Sequence, residues 1–382
     1  MRTLLTALLL GAMAILAGCG ASTTVDPIKP QRIVAFGDAL STVDDQGRAL
    51  NTMGLPETSL YYYAGNFASQ IAFRYGIRLK AAPTSGNAVN WAQVTSTGGY
   101  SFASPVADLR ATADQINAFV ANGKPGASDM FIITAGTMDV FNAALKGEVV
   151  PKADMLALIE AMRRLADAGA NHRNIVYLMP PPVARSPLVL TLKKAQPTNS
   201  FVLAVEKMYT YAEQQNPERG CNSEILPTSY AGRWELLVSC VQYFPPSSTK
   251  RPLLNINPEA IFNLMTGTTD TGSCQAGNCN TFTAYGVSNP NIPVCTDRQK
   301  LSQLVGTNGW THQPITRSAC VVTSEVEFAA TGVTQKAASA YFNSEWSYSN
   351  SLYADELFLT SFGHRLLSDQ AFNLNFLNAG WR

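Results

Sequence analysis

Short apolar segments that alternate with amphipathic segments are the feature of this sequence that most restricts its fold. The short runs are 32–36, 130–134 and 174–179, and the amphipathic segments are 66–75, 106–120 and 155–165. Each run has the length and β-branched content of a buried strand and ends at glycine or proline. The other segments repeat apolar residues every three or four positions, as a half-buried helix does. This pattern predicts an α/β fold of three layers (α/β/α) around a parallel sheet.

The regular alternation stops after about Gln215. Residues 216–350 are rich in Asn, Ser, Thr and Pro, and they contain six of the seven cysteines. Apolar residues return with helical spacing after Thr360, whose side chain can cap a final helix. We therefore expect one folded domain, 32–376, that carries a loop-rich insertion at about 216–350.

The cysteines of this insertion are even in number and lack zinc-binding spacing. They are Cys221, Cys240, Cys274, Cys279, Cys295 and Cys320. In an exported chain this number favours three disulfides, with sequence neighbours as the simplest pairing and other connectivities open. A zinc site is the alternative, but no Cys-x-x-Cys occurs and the three histidines are scattered. We expect no metal and no other cofactor.

The first residues indicate export and lipid attachment. Arg2 is followed by an uncharged apolar run, and Leu16-Ala17-Gly18-Cys19 has the form of a lipobox. The run is shorter than the roughly 20 residues that cross a bilayer. We expect a signal peptide at 1–18, lipidation at Cys19 and a tether at 19–31, with an ordinary cleaved signal peptide as the alternative.

Lipidation would anchor the chain in a bacterial envelope. Gly20 after the lipidated cysteine favours the outer membrane, facing the periplasm or the cell surface. The formal net charge is only +1 and 14% of residues are charged, so we expect no nucleic-acid partner. The expected partners are the membrane, through acyl chains, and either an apolar small molecule or another envelope protein.

Three loops carry the residues that could perform chemistry. They are 36–41 after the first strand, 135–141 after the next long strand, and 355–364 before the final helix. Ligands of parallel sheets bind at the loops that follow the carboxyl ends of strands. All three loops are therefore expected at the site.

Together these segments resemble the GDSL/SGNH hydrolases, especially the bacterial lipases and esterases. That family reads Gly-Asp-Ser-Leu-Ser, Gly-x-Asn-Asp and Asp-x-x-His in the corresponding blocks, and the resemblance extends over 32–376, including the proline-rich segment 180–187. It implies a flavodoxin-like sheet and carboxylester hydrolysis. Residues that match the family in the expected cleft are Gly37, Asp38, Gly136, Asp139 and Asp355.

The residues that this chemistry requires are replaced. Ala39 stands at the serine nucleophile, Met138 at the oxyanion-binding asparagine and Phe358 at the general-base histidine. None of these side chains can attack, donate a hydrogen bond or carry a proton. Gly98 is the expected stand-in for a further oxyanion donor of the family. Loss of serine or histidine from a hydrolase triad lowers turnover by roughly 10⁶-fold, so we expect a protein that does not catalyse the family reaction.

Three functional hypotheses follow. The first is a non-catalytic lipoprotein whose apolar cleft binds an acyl chain or another apolar group. The second is an active carboxylester hydrolase with a rearranged set of Ser41, His364 and Asp355, although we interpret Ser41 as a helix-start cap and His364 as structural. The third is a structural envelope protein that binds a partner through the insertion. Thr137 is interpreted as an ordinary loop residue.

Overall fold

The computed structural model describes the chain in several stretches. These are residues 29–45, 47, 49, 65–148, 150–209, 253–258, 261–262, 286–287, 290, 351–354, 357–377 and 381. All seven cysteines, Asp355, the expected signal peptide and most of the tether lie outside the described residues. The lipid anchor and the disulfides therefore stay predictions.

A six-stranded sheet forms the centre of the described part. Its strands are β1 (Arg32–Gly37), β2 (Leu79–Ala81), β5 (Gly98–Ser101), β6 (Asp129–Thr134), β7 (Ile175–Leu178) and β8 (Leu254–Ile256), and a separate hairpin is made by β3 (Thr84–Ser85) and β4 (Ala88–Val89). The order across the sheet is β2-β5-β1-β6-β7-β8, and every neighbouring pair is parallel. The predicted parallel α/β sheet is confirmed.

Helices cover both faces of this sheet. They are α1 (Phe67–Arg74), α2 (Leu109–Asn122), α3 (Thr137–Leu145), α4 (Lys152–Asp167), α5 (Pro187–Ala195), α6 (Ser200–Tyr209) and α7 (Ser361–Ala371), the last followed by a π-helical turn, Phe372–Phe376. Helices α1 and α7 pack with Ile33 and Ile132 in one apolar cluster, whereas α2 to α6 pack with Val34 and Phe131 in another. Successive strand residues point to opposite faces, so the sheet separates two cores. No helix of the described residues is long and apolar enough to cross a bilayer.

The predicted strands and helices are found close to their expected positions. Helix α2 begins later than predicted, because Asp108 caps it: the Asp108 side chain accepts a hydrogen bond from the Ala111 N–H. Val106 therefore lies before the helix and is exposed. The predicted Thr360 cap is confirmed, since Thr360 Oγ1 accepts from the Gly363 N–H at 2.9 Å.

Strand β8 differs from the sequence interpretation. It lies within the expected insertion, yet it pairs with β7 from Val176–Leu254 to Leu178–Ile256. The stretch 216–350 therefore contributes to the sheet and is not loop-rich throughout. A strand of three residues is too short to produce a detectable periodicity in a polar segment.

A buried ion pair joins the amino ends of β1 and β6. Arg32 Nη2 lies 2.5 Å from Asp129 Oδ2, and Arg32 Nη1 donates to the carbonyls of Thr95 and Gly123. The guanidinium is thus paired with charge and with backbone acceptors, as a buried cation must be. These contacts lie at the edge of the sheet opposite the carboxyl ends of the strands.

Candidate functional site

The carboxyl ends of β1 and β6 form the crevice where a parallel sheet of this kind binds ligands. The chain after β1 builds β2 and β5 on one side of it, and the later strands β6, β7 and β8 lie on the other side. Such a reversal of strand order separates the loops and opens a crevice between them. The loop at 38–41 follows β1, and Ala135 and Gly136 follow β6.

A pocket lies at this edge of the sheet. It is small: about 320 Å³ of space lies between its walls and in the open solvent at its mouth, and only about 20 Å³ of that space can hold the centre of a water molecule. The lining residues are Leu40, Thr137, Pro181, Pro182, Val183, Ser186, Tyr353, Leu357, Phe358 and Leu359. Most of these side chains are apolar, and the polar ones contribute hydroxyl groups. The lining therefore suits a small apolar group with little polar surface.

Three apolar residues of the site expected from the sequence lie at this edge. Ala39, Met138 and Phe358 are 4%, 3% and 6% exposed and belong to one apolar cluster. Phe358 lines the pocket, and Ala39 and Met138 are each the chain neighbour of a lining residue. Their side chains offer no nucleophile, no proton acceptor and no amide donor. These three positions of the site can therefore perform neither nucleophilic attack nor proton transfer.

A hairpin-like loop holds Phe358 in place. The Ala354 N–H donates to the Phe358 carbonyl at 2.8 Å, and the Thr360 N–H donates to the Leu352 carbonyl at 3.0 Å. Thr360 Oγ1 also donates to the Ser351 carbonyl at 2.6 Å. These backbone contacts fix the loop against the start of α7.

Ser41 is fully buried and hydrogen-bonded. Its Oγ lies 2.9 Å from Thr134 Oγ1, its N–H donates to the Asp38 carbonyl, and its own carbonyl accepts from Ser101 Oγ at 2.7 Å. Residues 38–41 form a turn, and no helix of the described residues starts there. The interpretation of Ser41 as a helix cap is wrong. The residue instead ties the β1 loop to β5 and β6, because its polar atoms need partners in the core.

His364 does not form a catalytic pair with Ser41. It lies in α7 and is 2% exposed, and burial lowers the pKa of its imidazole to about 3. Its Nδ1 has no hydrogen-bond partner, and no hydrogen bond joins the ring to Ser41. An effective general base has a pKa near the working pH. The geometry therefore agrees with the structural interpretation of His364, while Asp355 lies outside the described residues.

Asp38 and Gly37 shape the loop after β1. Asp38 Oδ1 accepts from the Leu40 N–H at 3.1 Å and from Thr134 Oγ1 at 2.9 Å. Burial raises the pKa of this carboxyl group, and the hydrogen bonds lower it by a smaller amount. Gly37 has φ of +118°, a conformation that L-residues rarely adopt.

Asp139 connects the site to helix α2. Both of its carboxylate oxygens accept from the Leu109 N–H, at 3.0 and 3.2 Å, which is the first N–H of that helix. Burial is the main cause that raises the pKa of Asp139 to about 8. The side chain therefore positions α2 and α3 relative to each other.

Replacement of Asp139 by asparagine should flatten the pH dependence of stability. The wild-type carboxyl has a raised pKa when folded, so the folded state keeps a proton that the unfolded chain releases, and stability falls as pH rises from about 4 to about 8. We expect the free energy of unfolding to fall by roughly 3 kcal/mol more in the wild type than in Asp139→Asn between pH 5 and pH 8. Urea denaturation at both pH values measures this. Equal slopes in the two proteins would contradict the assignment, and Asp167→Asn, at an exposed site, controls for the charge change.

Two expectations about the site residues need correction. Gly98 begins β5 and pairs with Arg32, so it lies at the amino end of the sheet and cannot donate to an oxyanion at the site. Thr137 is not a loop residue, because it is the first residue of α3 and lines the pocket. The apolar residues from Val140 to Leu145 were the signal for this helix, but the segment is too short for a clear period.

Comparisons with known proteins add no family assignment. No protein-family model matches the chain, and no curated protein matches it. The described residues also contain no cluster of histidine, cysteine and carboxylate side chains that could hold a metal ion.

Proposed function

We propose that this chain is a non-catalytic, GDSL/SGNH hydrolase-like lipoprotein of the bacterial envelope. Its remodelled site holds an acyl chain or a similar apolar group and does not cleave it. The observation that carries the proposal is the apolar pocket at the carboxyl edge of the sheet, lined in part by Phe358 and bordered by Ala39 and Met138.

The lining supports binding better than catalysis. Leu40, Val183 and Leu359 offer apolar surface, which favours transfer of an apolar group from water at about 25 cal/mol per Å² buried. A hydrolase would need an activated nucleophile within reach of a base. The hydroxyl of Ser41 is buried and bonded to Thr134, so the rearranged catalytic set has no support from the geometry.

Binding of 1-octanol tests the pocket directly. We expect 1-octanol to raise the melting temperature of the purified chain, because a ligand that binds only the folded state stabilises it. Pro181 is half-buried and lines the pocket, so Pro181→Trp should fill the pocket and abolish the shift.

The matched control places the same side chain elsewhere. Leu203 is an exposed residue of α6 that does not line the pocket, so Leu203→Trp should keep the full shift. If 1-octanol leaves the melting temperature of the wild type unchanged, or if Pro181→Trp responds as the wild type does, the proposal fails.

A further inference from the structure

Helices α1 and α7 meet at the amino edge of the sheet, which is the edge where its strands begin. Helix α1 ends just before β2, and the π-helical turn after α7 donates a hydrogen bond to β8. The guanidinium carbon of Arg74 lies 4.5 Å from the centre of the Phe372 ring. The ring of Tyr75 packs against the rings of Phe372 and Trp381. These contacts hold the two helix ends together at this edge.

Large apolar side chains are exposed beside this ring cluster. Phe73, Leu374 and Leu377 are 44%, 46% and 43% exposed, and each lies within a few chain positions of a cluster residue. We call these three residues the apolar patch. The other large apolar side chains that are exposed among the described residues belong to the opposite helical layer, and they are Val106, Leu156 and Leu203. Apolar side chains that are exposed together mark an interaction surface.

The same edge carries positive charge. Exposed cations lie in the segment before β1 and in the loops that lead into β6 and β7, and they are Lys29, Lys124 and Arg173. The described carboxylates near this edge are each paired with an arginine, and they are Asp129 with Arg32, Asp167 with Arg163, and Asp369 with Arg74. The charge that remains at the edge is therefore positive and suits an anionic surface.

The expected lipid anchor joins the domain at this edge. Arg32, the first residue of β1, follows Cys19 by 13 positions. A chain of that length spans at most about 45 Å, so acyl chains on Cys19 would keep the amino edge close to a bilayer. An anionic bilayer offers an apolar interior and negatively charged headgroups, which match the apolar patch and the cations.

We propose that the amino edge of the sheet is a membrane-docking surface that binds an anionic lipid bilayer. The apolar patch enters the interface, and the cations contact the headgroups. The pocket lies at the opposite edge, so it faces away from the membrane. The inference rests on the proposed function for its lipid anchor, and it goes beyond that function by assigning a surface of the folded domain to the bilayer.

Vesicle flotation without the anchor tests this surface. The mature chain, residues 19–382 with Cys19→Ser, cannot be acylated at that position, so any binding comes from the protein surface. We expect it to float with vesicles of phosphatidylethanolamine and phosphatidylglycerol. It should bind vesicles of phosphatidylcholine alone roughly tenfold more weakly, because they carry no net charge. Added salt should weaken binding to the anionic vesicles.

Paired leucine substitutions test the apolar patch. In the Cys19→Ser chain, Leu374→Asp with Leu377→Asp should weaken binding to anionic vesicles roughly tenfold or more, because two apolar contacts are lost and negative charge is added. Leu156→Asp with Leu203→Asp is the matched control, since it changes two exposed leucines of α4 and α6 in the same way. The control should bind as its parent does. Melting temperatures establish that both variants fold.

A charge reversal tests the edge without changing the apolar patch. Lys124→Glu with Arg173→Glu replaces two exposed cations of the loops before β6 and β7. This variant should bind anionic vesicles several-fold more weakly than its parent and should lose most of the salt dependence.

The outcomes separate this inference from the proposed function. If the Cys19→Ser chain does not bind anionic vesicles, or if the two leucine pairs weaken binding equally, the membrane-docking surface is overturned and the pocket is unaffected. Mass spectrometry of the wild-type chain reports separately on Cys19. A wild-type chain without acyl groups refutes the lipoprotein, whereas a lipidated chain whose Cys19→Ser form does not bind refutes only the docking surface.

Discussion

Replacement of Gly37 by alanine is expected to destabilise the protein by more than about 4 kcal/mol and to leave little folded chain. A Cβ atom at this position would lie 1.6 Å from the carbonyl oxygen of Thr134 and 2.6 Å from its carbonyl carbon. Those backbone atoms belong to β6, which is buried and paired on both sides, so they cannot move away. The φ of +118° adds strain for any residue with a side chain.

Gly76→Ala is the matched control for this prediction. Gly76 also has positive φ, +69°, but a Cβ there meets no atom within 4 Å. It should therefore cost only about 1–2 kcal/mol, the penalty of the left-handed conformation alone. Urea denaturation of both variants measures the difference. If Gly37→Ala is no less stable than Gly76→Ala, the result would contradict the close contact between Gly37 of β1 and Thr134 of β6.

The triple variant Ala39→Ser, Met138→Asn, Phe358→His is expected to gain ester hydrolysis by roughly 10³-fold or more over the wild type. The reason is that serine and histidine in such sets act as a unit, and the loss of either removes nearly all of the activity. Hydrolysis of a p-nitrophenyl ester of a short acyl chain measures the gain. A serine-directed fluorophosphonate should label the triple variant and leave the wild type unlabelled.

Partial variants provide the controls. Met138→Asn with Phe358→His alone lacks the nucleophile and should stay at the background rate. The triple variant should also lose stability, by a few kcal/mol, because an amide and an imidazole enter an apolar cluster. A folded triple variant without activity would contradict the proposed correspondence of these positions. Labelling of the wild type that Ser41→Ala abolishes would instead support the rearranged catalytic set.

The strands that build the site could be predicted because their sequences allow few other structures. β1 and β6 are continuous apolar runs, and only a sheet covered on both faces buries such runs completely. Their carboxyl ends then meet at one edge, which placed Ala39 and Met138 together. The absence of a nucleophile, an amide donor and a base at those positions follows from residue identity.

The polar contacts could not be predicted, since they join distant parts of the chain. Asp139 accepts from the Leu109 N–H, 30 residues earlier, and Thr134 at the end of β6 contacts Ser41 in the loop after β1, 93 residues earlier. Nothing in the local sequence around either residue specifies its partner. The same holds for β8, whose three residues pair with β7 from within a largely polar segment.

The sequence by itself determined the parallel α/β layering and the lack of reactive groups at Ala39, Met138 and Phe358, because side-chain periodicity and functional groups are local properties. Only the tertiary structure decided that Ser41 is buried in the core and that Asp139 accepts a hydrogen bond from another helix. Those outcomes depend on which distant groups meet after the chain has folded.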